Sequence, residues 1–311
     1  MSVATWSQLG YRRRVEIREA EERDAEAFAR LLREADDARV LTSEGVVYRQ
    51  RSRLPRARII DLVAEIDGTV VAVGSAGLNI ATSTEGAGWA GVNVDAAHRG
   101  RGIGSALGER LLAHAREIGA TKLTCMFRSN DEGERWATAR GWSRLLTGPL
   151  IALDPRSVPE PDLPVGYRCA PMSEVGPEAM YAAIKEPSLD EPSPVPFDAF
   201  AFDAFLRDWR EPESDLESST AVVDETGTVV AFSFLFVDGD RAQHGFTGTL
   251  RAHRGRGLAT AAKRRALRAA AARGVTRVTT SNAEDNAAMR AINRRLGFEP
   301  IGAHVIYGRD L

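Results

Sequence analysis

His98-Arg99-Gly100-Arg101-Gly102-Ile103-Gly104 recurs, nearly unchanged, as His253-Arg254-Gly255-Arg256-Gly257-Leu258-Ala259. Each copy follows an apolar run and precedes a long stretch rich in Ala, Leu and Arg, so each reads as a strand, a tight basic turn and a helix start. The first turn of a helix carries unpaired N–H groups and the positive end of its dipole, and glycine lets both approach an anion closely. Two such turns predict two phosphate-binding sites, or one site and its relic.

The repetition reaches beyond the turn. Arg99 and Arg254 are 155 residues apart, while Asn130 and Asn286, and Gly141-Trp142 and Gly297-Phe298, are 156 apart. Near-constant offsets over three landmarks indicate duplication of a whole domain. A chain of 311 residues accommodates two domains of ordinary size.

In the first half, Val15–Arg18 reads as a strand and Asp24 as the cap of a helix over 25–35. Residues 59–66, the turn Asp67-Gly68 and residues 69–78 read as a hairpin. Strand 89–94 feeds the first basic turn, and helix 103–118, strand 121–127, helix 131–140 and strand 145–153 follow. The second half repeats the order, with helices at 178–185, 259–272 and 286–296 and a last strand at 304–307. This predicts an α/β (α+β) protein of two tandem domains, each a mixed sheet flanked by helices. The expected boundaries are 1–153, a linker at 154–166 and 167–311. Pro155, Pro159, Pro161 and Pro164 make the linker semi-rigid and extended.

Composition narrows the class. A net charge of −2 gives no electrostatic case for nucleic acid. Of the cationic residues 38 are Arg and three are Lys (Lys122, Lys185, Lys263), a skew that reads as codon bias. Two cysteines, Cys125 and Cys169, lack disulfide or metal spacing and favour a reducing cytoplasm. Met1–Gly10 holds no apolar signal core, and the apolar run 229–237 is too short for a membrane span. A soluble cytoplasmic protein, binding neither membrane nor metal, is expected. Neither turn has the Lys of a P-loop, and Ser105 and Thr260 stand where a dinucleotide fingerprint needs its third glycine, which argues against an NTPase or a dehydrogenase.

With these residues in place, the chain resembles the GNAT superfamily of acyl-CoA-dependent N-acetyltransferases, twice over. The family's R-x-x-G-x-G/A motif matches Arg99–Gly104 and Arg254–Ala259, and its later N-x₁₀-G-F/W element matches Asn130 to Trp142 and Asn286 to Phe298. The resemblance implies two mostly antiparallel GNAT-like sheets and an acetyl-CoA cofactor. Its pyrophosphate would lie on Arg99, Gly100, Arg101, Gly102, Ile103 and Gly104, or on Arg254, Gly255, Arg256, Gly257, Leu258 and Ala259. It also implies a splayed strand that pairs with the pantetheine arm, at Val92, Asn93 and Val94 and at Thr247, Gly248 and Thr249.

One departure bears on mechanism. The tyrosine that many members carry seven residues after the helix Asn, to protonate the leaving thiolate, is Ala137 in one copy and Asn293 in the other. Tyr307, on the last strand, is a substitute acid or a packing residue. His244 is the titrating candidate for a base, or a histidine hydrogen-bonded at a strand edge. Asn282 and Asn286 are candidates to bond the cofactor arm or thioester, Asn286 alternatively capping its helix. Phe197, Phe200, Phe202, Phe205 and Trp209, with Asp190 and Glu191, lie in a segment expected to cover the acceptor site or to pack the core. Because only the second copy has a plausible base upstream of its turn, the matching segment Gly88-Trp89-Ala90-Gly91 of the first having no titratable residue, the second domain is the expected catalytic one. The expected reaction is direct transfer of acetyl to the amine of a small molecule in a ternary complex, by a monomer or homodimer. The alternatives are a non-catalytic acyl-CoA sensor and acetylation of a protein or peptide amine.

Overall fold

The computed structural model describes residues 15–311, so the expectation for Met1–Gly10 lies outside the described residues. The chain divides into two compact units. Among the described residues the first comprises 15–80, 84–144 and 306–311, and the second 81–83 and 145–305.

In the first unit, β1 (Val15–Glu19), β2 (Ile60–Ile66), β3 (Thr69–Leu78) and β4 (Ala87–Val94) are successively antiparallel. The β2–β3 connection is the two-residue turn read from sequence: Ile66 faces Thr69, and Asp67 (φ 50°) and Gly68 (φ 79°) are both left-handed. That handedness matches the twist of the flanking strands. α1 (Ala25–Ala35) and α2 (Ser43–Arg51) precede the hairpin. Phe28, Leu31, Leu41 and Val46 cluster with Val63 and Val73. Asp24 makes no capping bond to α1. Its carboxylate instead takes a bidentate pair from Arg18, at 2.6 and 2.8 Å, and the Glu21 N–H. α3 (Ile103–Glu117), β5 (Lys122–Arg128) and α4 (Asp131–Thr138) follow the basic turn.

The second unit repeats the plan with β7 (Tyr167–Pro171), α5 (Met172–Ser188), α6 (Phe202–Trp209), β8 (Thr220–Asp224), β9 (Val229–Asp238), β10 (Arg241–Thr249), α7 (Leu258–Ala272), β11 (Arg277–Ser281) and α8 (Ala287–Leu296). β7 to β10 are antiparallel neighbours, and β11 joins β10 in parallel. α5 is longer than the helix expected at 178–185. It is two helices joined at Gly176 (φ 79°), a left-handed residue just before Pro177.

The closing strands do not follow the sequence repeats. β6 (Ser143–Leu153), which ends the first repeat, belongs from Leu145 onward to the second unit, where Leu153 faces Val278 and Leu150 faces Ser281 of β11. β12 (Glu299–Asp310) ends the second repeat, yet residues 306–311 belong to the first unit, and the Leu311 N–H donates to Thr121 O at 2.9 Å. Each unit is thus closed by chain from the other repeat.

The proline-bearing segment after β6 is not a free tether. Pro155 and Val158 are buried, and Arg268 of α7 donates to Val158 O at 3.0 Å. Among the described residues no helix is long and apolar enough to cross a membrane, and no cluster suits a metal ion.

Candidate functional site

The first basic turn is built from two left-handed glycines, Gly100 (φ 71°) and Gly102 (φ 79°). A Cβ at either would meet nothing, so backbone conformation is what selects glycine here. Gly102 is the N-cap of α3 and supplies no capping side chain, which leaves the first-turn N–H groups for an external acceptor. Arg99 folds back, donating from Nε to Val94 O and from its terminal nitrogen to Glu132, both at 3.1 Å.

β4 pairs with β5 only over Ala87–Trp89, against Lys122–Thr124, and the strands then part. Val92, Asn93 and Val94 therefore pair with β3 on one side and have no β5 partner on the other. A cavity of about 1050 Å³ opens there, bounded by this strand, the turn, Trp136 and Tyr307. Such a volume suits a large cofactor or ligand. Asn130 borders it, but its side chain is committed to capping α4: Oδ1 accepts from the Gly133 N–H at 2.8 Å and Nδ2 donates to Arg128 O at 2.9 Å.

Tyr307 is the unexpected neighbour. Sequence order places it in the second repeat, but the crossing of β12 brings it into the first unit's cavity wall. Its hydroxyl donates to Glu134 at 2.9 Å, and its ring lies 5.4 Å from that of Phe127. Glu134 is held below the ordinary carboxylate range, chiefly by the Ser129 hydroxyl and then by Tyr307 and Arg144.

Cys125 also borders the cavity, and burial pushes its thiol up to about 11. It stays protonated at neutral pH and is a poor nucleophile. Cys125→Ala is expected to keep turnover within about threefold, and the protein to form no acyl-cysteine on brief mixing with an acyl thioester, as read by intact mass.

The second turn repeats the backbone but not its surroundings. Gly255 (φ 76°) and Gly257 (φ 80°) match their counterparts, and Gly257 likewise leaves α7 without a capping side chain. Its arginines are engaged within the unit. Arg254 donates to Thr249 O at 3.1 Å and to Asp190 at 2.5 Å, while Arg251 pairs with Asp190 at 2.7 Å. Arg256 donates to the Tyr167 hydroxyl at 2.7 Å. Arg251 and then Arg254 hold the Asp190 carboxyl down to about 2. Asp190, expected to face a cationic acceptor, is instead bound to the turn. Phe205 and Trp209 are buried in the core beside Met180 and Phe232.

β10 parts from β11 after Gln243, so Thr247, Gly248 and Thr249 occupy a splayed strand like their counterparts. The hydroxyls of Thr247 and Thr249 are buried without a hydrogen-bond partner, at a cost of roughly 1–3 kcal/mol each unless water or a ligand meets them. Asn286 caps α8, accepting from the Met289 N–H at 3.1 Å. Asn282 accepts from Asn293 Nδ2 at 2.5 Å, so the residue at the usual tyrosine position orients Asn282.

His244 is 3 % exposed. It shares a 2.6 Å hydrogen bond with Ser233 Oγ and lies 3.4 Å from Lys263 Nζ. Burial first, and the adjacent Lys263 second, push its pKa well below the ordinary value. A group so enclosed is an interior hydrogen-bonding residue, and this environment does not suit the base read from sequence. Lys263, itself 1 % exposed, matches Gly108 of the first repeat. There, a Cβ would come within 3.6 Å of the Trp136 indole that walls the first cavity.

Burial lowers the Lys263 pKa from 10.5 to about 7. Between those values the unfolded chain binds a proton that the folded chain does not, so this residue's contribution makes the fold more stable as pH rises from about 7 to 10.5. Depressed His244 adds a loss of stability as pH falls through its ordinary value near 6.5. Replacing buried charged groups by well-packed apolar side chains is often neutral or stabilising, by up to about 4 kcal/mol in buried ion pairs. Lys263→Met should therefore raise the melting temperature at pH 7, by a margin that shrinks at pH 10. Calorimetry at the two pH values checks this.

A helix N-terminus left open by a glycine turn, beside two parallel strands that part, makes an anion-binding turn next to an unpaired strand edge. The model of the acetyltransferase (GNAT) family matches residues 17–142 and again 180–298, and the chain belongs to that family. It is an acyltransferase of the GNAT type with two family domains in tandem. No curated protein matches the chain. Among solved structures, it is similar to a tandem GNAT protein from the clavulanic acid biosynthesis pathway, at 23 % identity and a TM-score of 0.73 over 95 % of this chain and 98 % of that one. A GCN5-related N-acetyltransferase from Sphaerobacter thermophilus shares 20 % identity at a TM-score of 0.71, with 95 % of both chains covered. At these identities the likeness to both is one of fold.

Proposed function

We propose that the protein transfers an acetyl group from acetyl-CoA to the amine of a small molecule, and that the acetyl-CoA that reacts is held by the first unit. The observation that carries this reading is the first unit's cavity, which joins the open N-terminus of α3 to the Tyr307 ring along the unpaired edge of β4.

In this reading the amides of residues 100–104 and the Arg99 guanidinium take the pyrophosphate. The backbone of Val92, Asn93 and Val94 takes the amides of the pantetheine arm. Acetyl-CoA supplies an activated thioester. Holding amine against thioester supplies several kcal/mol without further chemistry. Tyr307 holds a proton at the cavity wall for the departing thiolate, the role that Ala137 cannot fill. In this reading Cys125, its thiol pushed up by burial, is not the nucleophile, and the amine attacks the thioester directly in a ternary complex. The second repeat, its turn Arg254 bound to Asp190 and its interior holding Lys263, contributes through β12 the strand that carries Tyr307.

Thiol release from acetyl-CoA across a broad panel of small amines tests the activity. Acceptor-dependent release supports it. Tight binding with no turnover on any amine would make the protein a binder of acyl-CoA rather than a catalyst.

A further inference from the structure

Among the described residues, two guanidiniums on the cavity wall, those of Arg140 and Arg309, have no acidic partner, and of the two only Arg140 is held by neighbouring groups. Arg128, at the cavity edge, pairs with Asp37, and Arg99 pairs with Glu132. Arg140 follows α4 and meets only neutral acceptors: it donates to Trp136 O at 3.2 Å and to Ser105 Oγ at 2.5 Å. No carboxylate lies within ion-pair distance of it among the described residues. Its guanidinium stacks over the Trp136 ring at 4.3 Å from the centroid. Trp136 is in turn laid across α3, where Gly104 and Gly108, one helical turn apart, leave room for the indole. Two glycines, an indole and a serine thus hold one charge in place, and both Ser105 and Arg140 border the cavity.

That charge borders the same cavity as the turn, next to the residues 100–104 that the proposed function gives to the pyrophosphate. Ser105 is the third residue of α3, just past the amides that face the turn's own ligand. A second anion one sugar's length from a pyrophosphate is what a nucleotide with a phosphate on its ribose presents. The feature belongs to the first unit alone. The equivalents of Gly108, Trp136 and Arg140 in the second repeat are Lys263, Ile292 and Leu296, which provide neither indole nor guanidinium.

We propose that Arg140, held by Trp136 and Ser105, is a specificity-determining residue that reads the ribose 3′-phosphate of coenzyme A in the first unit. The inference rests on the first cavity being the coenzyme A site. Phosphate on a fixed guanidinium forms charge-assisted hydrogen bonds, each of which is commonly worth about tenfold or more in affinity. Fixing the group in advance removes the entropy of ordering it on binding.

The test is calorimetric titration of the full chain with coenzyme A and with 3′-dephospho-coenzyme A. The wild-type protein is expected to bind coenzyme A at least about tenfold more tightly. Arg140→Ala should bring the two ligands to within about twofold, while leaving affinity for the dephospho form unchanged. That unchanged affinity is the internal control for folding. Arg140→Gln, which keeps donors for Trp136 O and Ser105 but removes the charge, should do the same if the alanine variant is unstable. Equal affinity for both ligands in the wild type overturns the proposal, as does discrimination that survives both substitutions. So does an equal loss for both ligands, which would assign Arg140 to the pyrophosphate. A wild type that binds neither ligand would refute the coenzyme A reading of the cavity itself.

Discussion

Arg99→Glu is expected to weaken acetyl-CoA binding by about a hundredfold or more, while Arg254→Glu leaves it within about threefold. Arg99 stands 43 % exposed at the mouth of the first turn, and Glu132 already lies beside it. Reversing its charge places two carboxylates at the proposed pyrophosphate site, removing a charge-assisted contact and adding repulsion. The combined cost is roughly 3 kcal/mol, which corresponds to two orders of magnitude in affinity. Arg254 is equally exposed, at 45 %, and differs in its carboxylate partner, Asp190, which Arg251 also binds. Its guanidinium is shared between Thr249 O and Asp190, and the depressed Asp190 carboxyl remains charged throughout the neutral range. Titration of both variants with acetyl-CoA decides which turn loads the reacting cofactor. The reverse outcome, with Arg254→Glu abolishing binding and Arg99→Glu sparing it, would assign loading to the second unit and overturn the first-unit reading.

Tyr307→Phe is expected to lower kcat by about a hundredfold and to change KM for acetyl-CoA by no more than about twofold. General acid catalysis contributes 10²–10⁴-fold in favourable cases, and a thiolate of ordinary pKa near 8.5 leaves well enough to place this reaction near the low end. The ring is retained in the variant, so the contact with Phe127 persists, and Glu134 keeps Ser129 and Arg144 as partners. An effect confined to kcat is the signature of a group that acts on the leaving thiolate. A rise in KM with kcat unchanged would instead show Tyr307 to be part of the cavity wall only.

The local code was readable wherever backbone chemistry decides structure. Asp67-Gly68 specifies a two-residue turn because both positions need positive φ, and the hairpin has it. Both basic turns have left-handed glycines at the expected positions. Helix and strand lengths came within a few residues except at α5, which continues across Gly176, and at β12, expected at 304–307 and running over Glu299–Asp310. α2 went unread because its stretch carries little apolar periodicity beyond Val46 and Val47. α6 went unread although Phe202, Phe205, Leu206 and Trp209 have helical spacing. Their aromatic character suggested a cover for a site, whereas Phe205 and Trp209 are core.

The site was less legible, and three side chains show why. His244 sits on the strand where a base was expected, but strand position does not report burial, and Lys263 of α7, the next helix, lies against it. Asp190 has the charge for a cationic ligand, yet two arginines more than 60 residues away take it first. Arg140 is one arginine among 38, and nothing in its neighbourhood in sequence distinguishes it.

What the sequence by itself determined is the duplication, the family and the two turns, since these depend on residue type at fixed short spacing and on one repeated offset. Only the tertiary structure decided which strand closes which unit. A run of alternating residues specifies that a strand forms and which face is apolar, but edge hydrogen bonding is nearly indifferent to sequence, so its neighbour is settled by the packing of the whole sheet. For this protein that choice carries Tyr307 from the second repeat into the first unit's cavity.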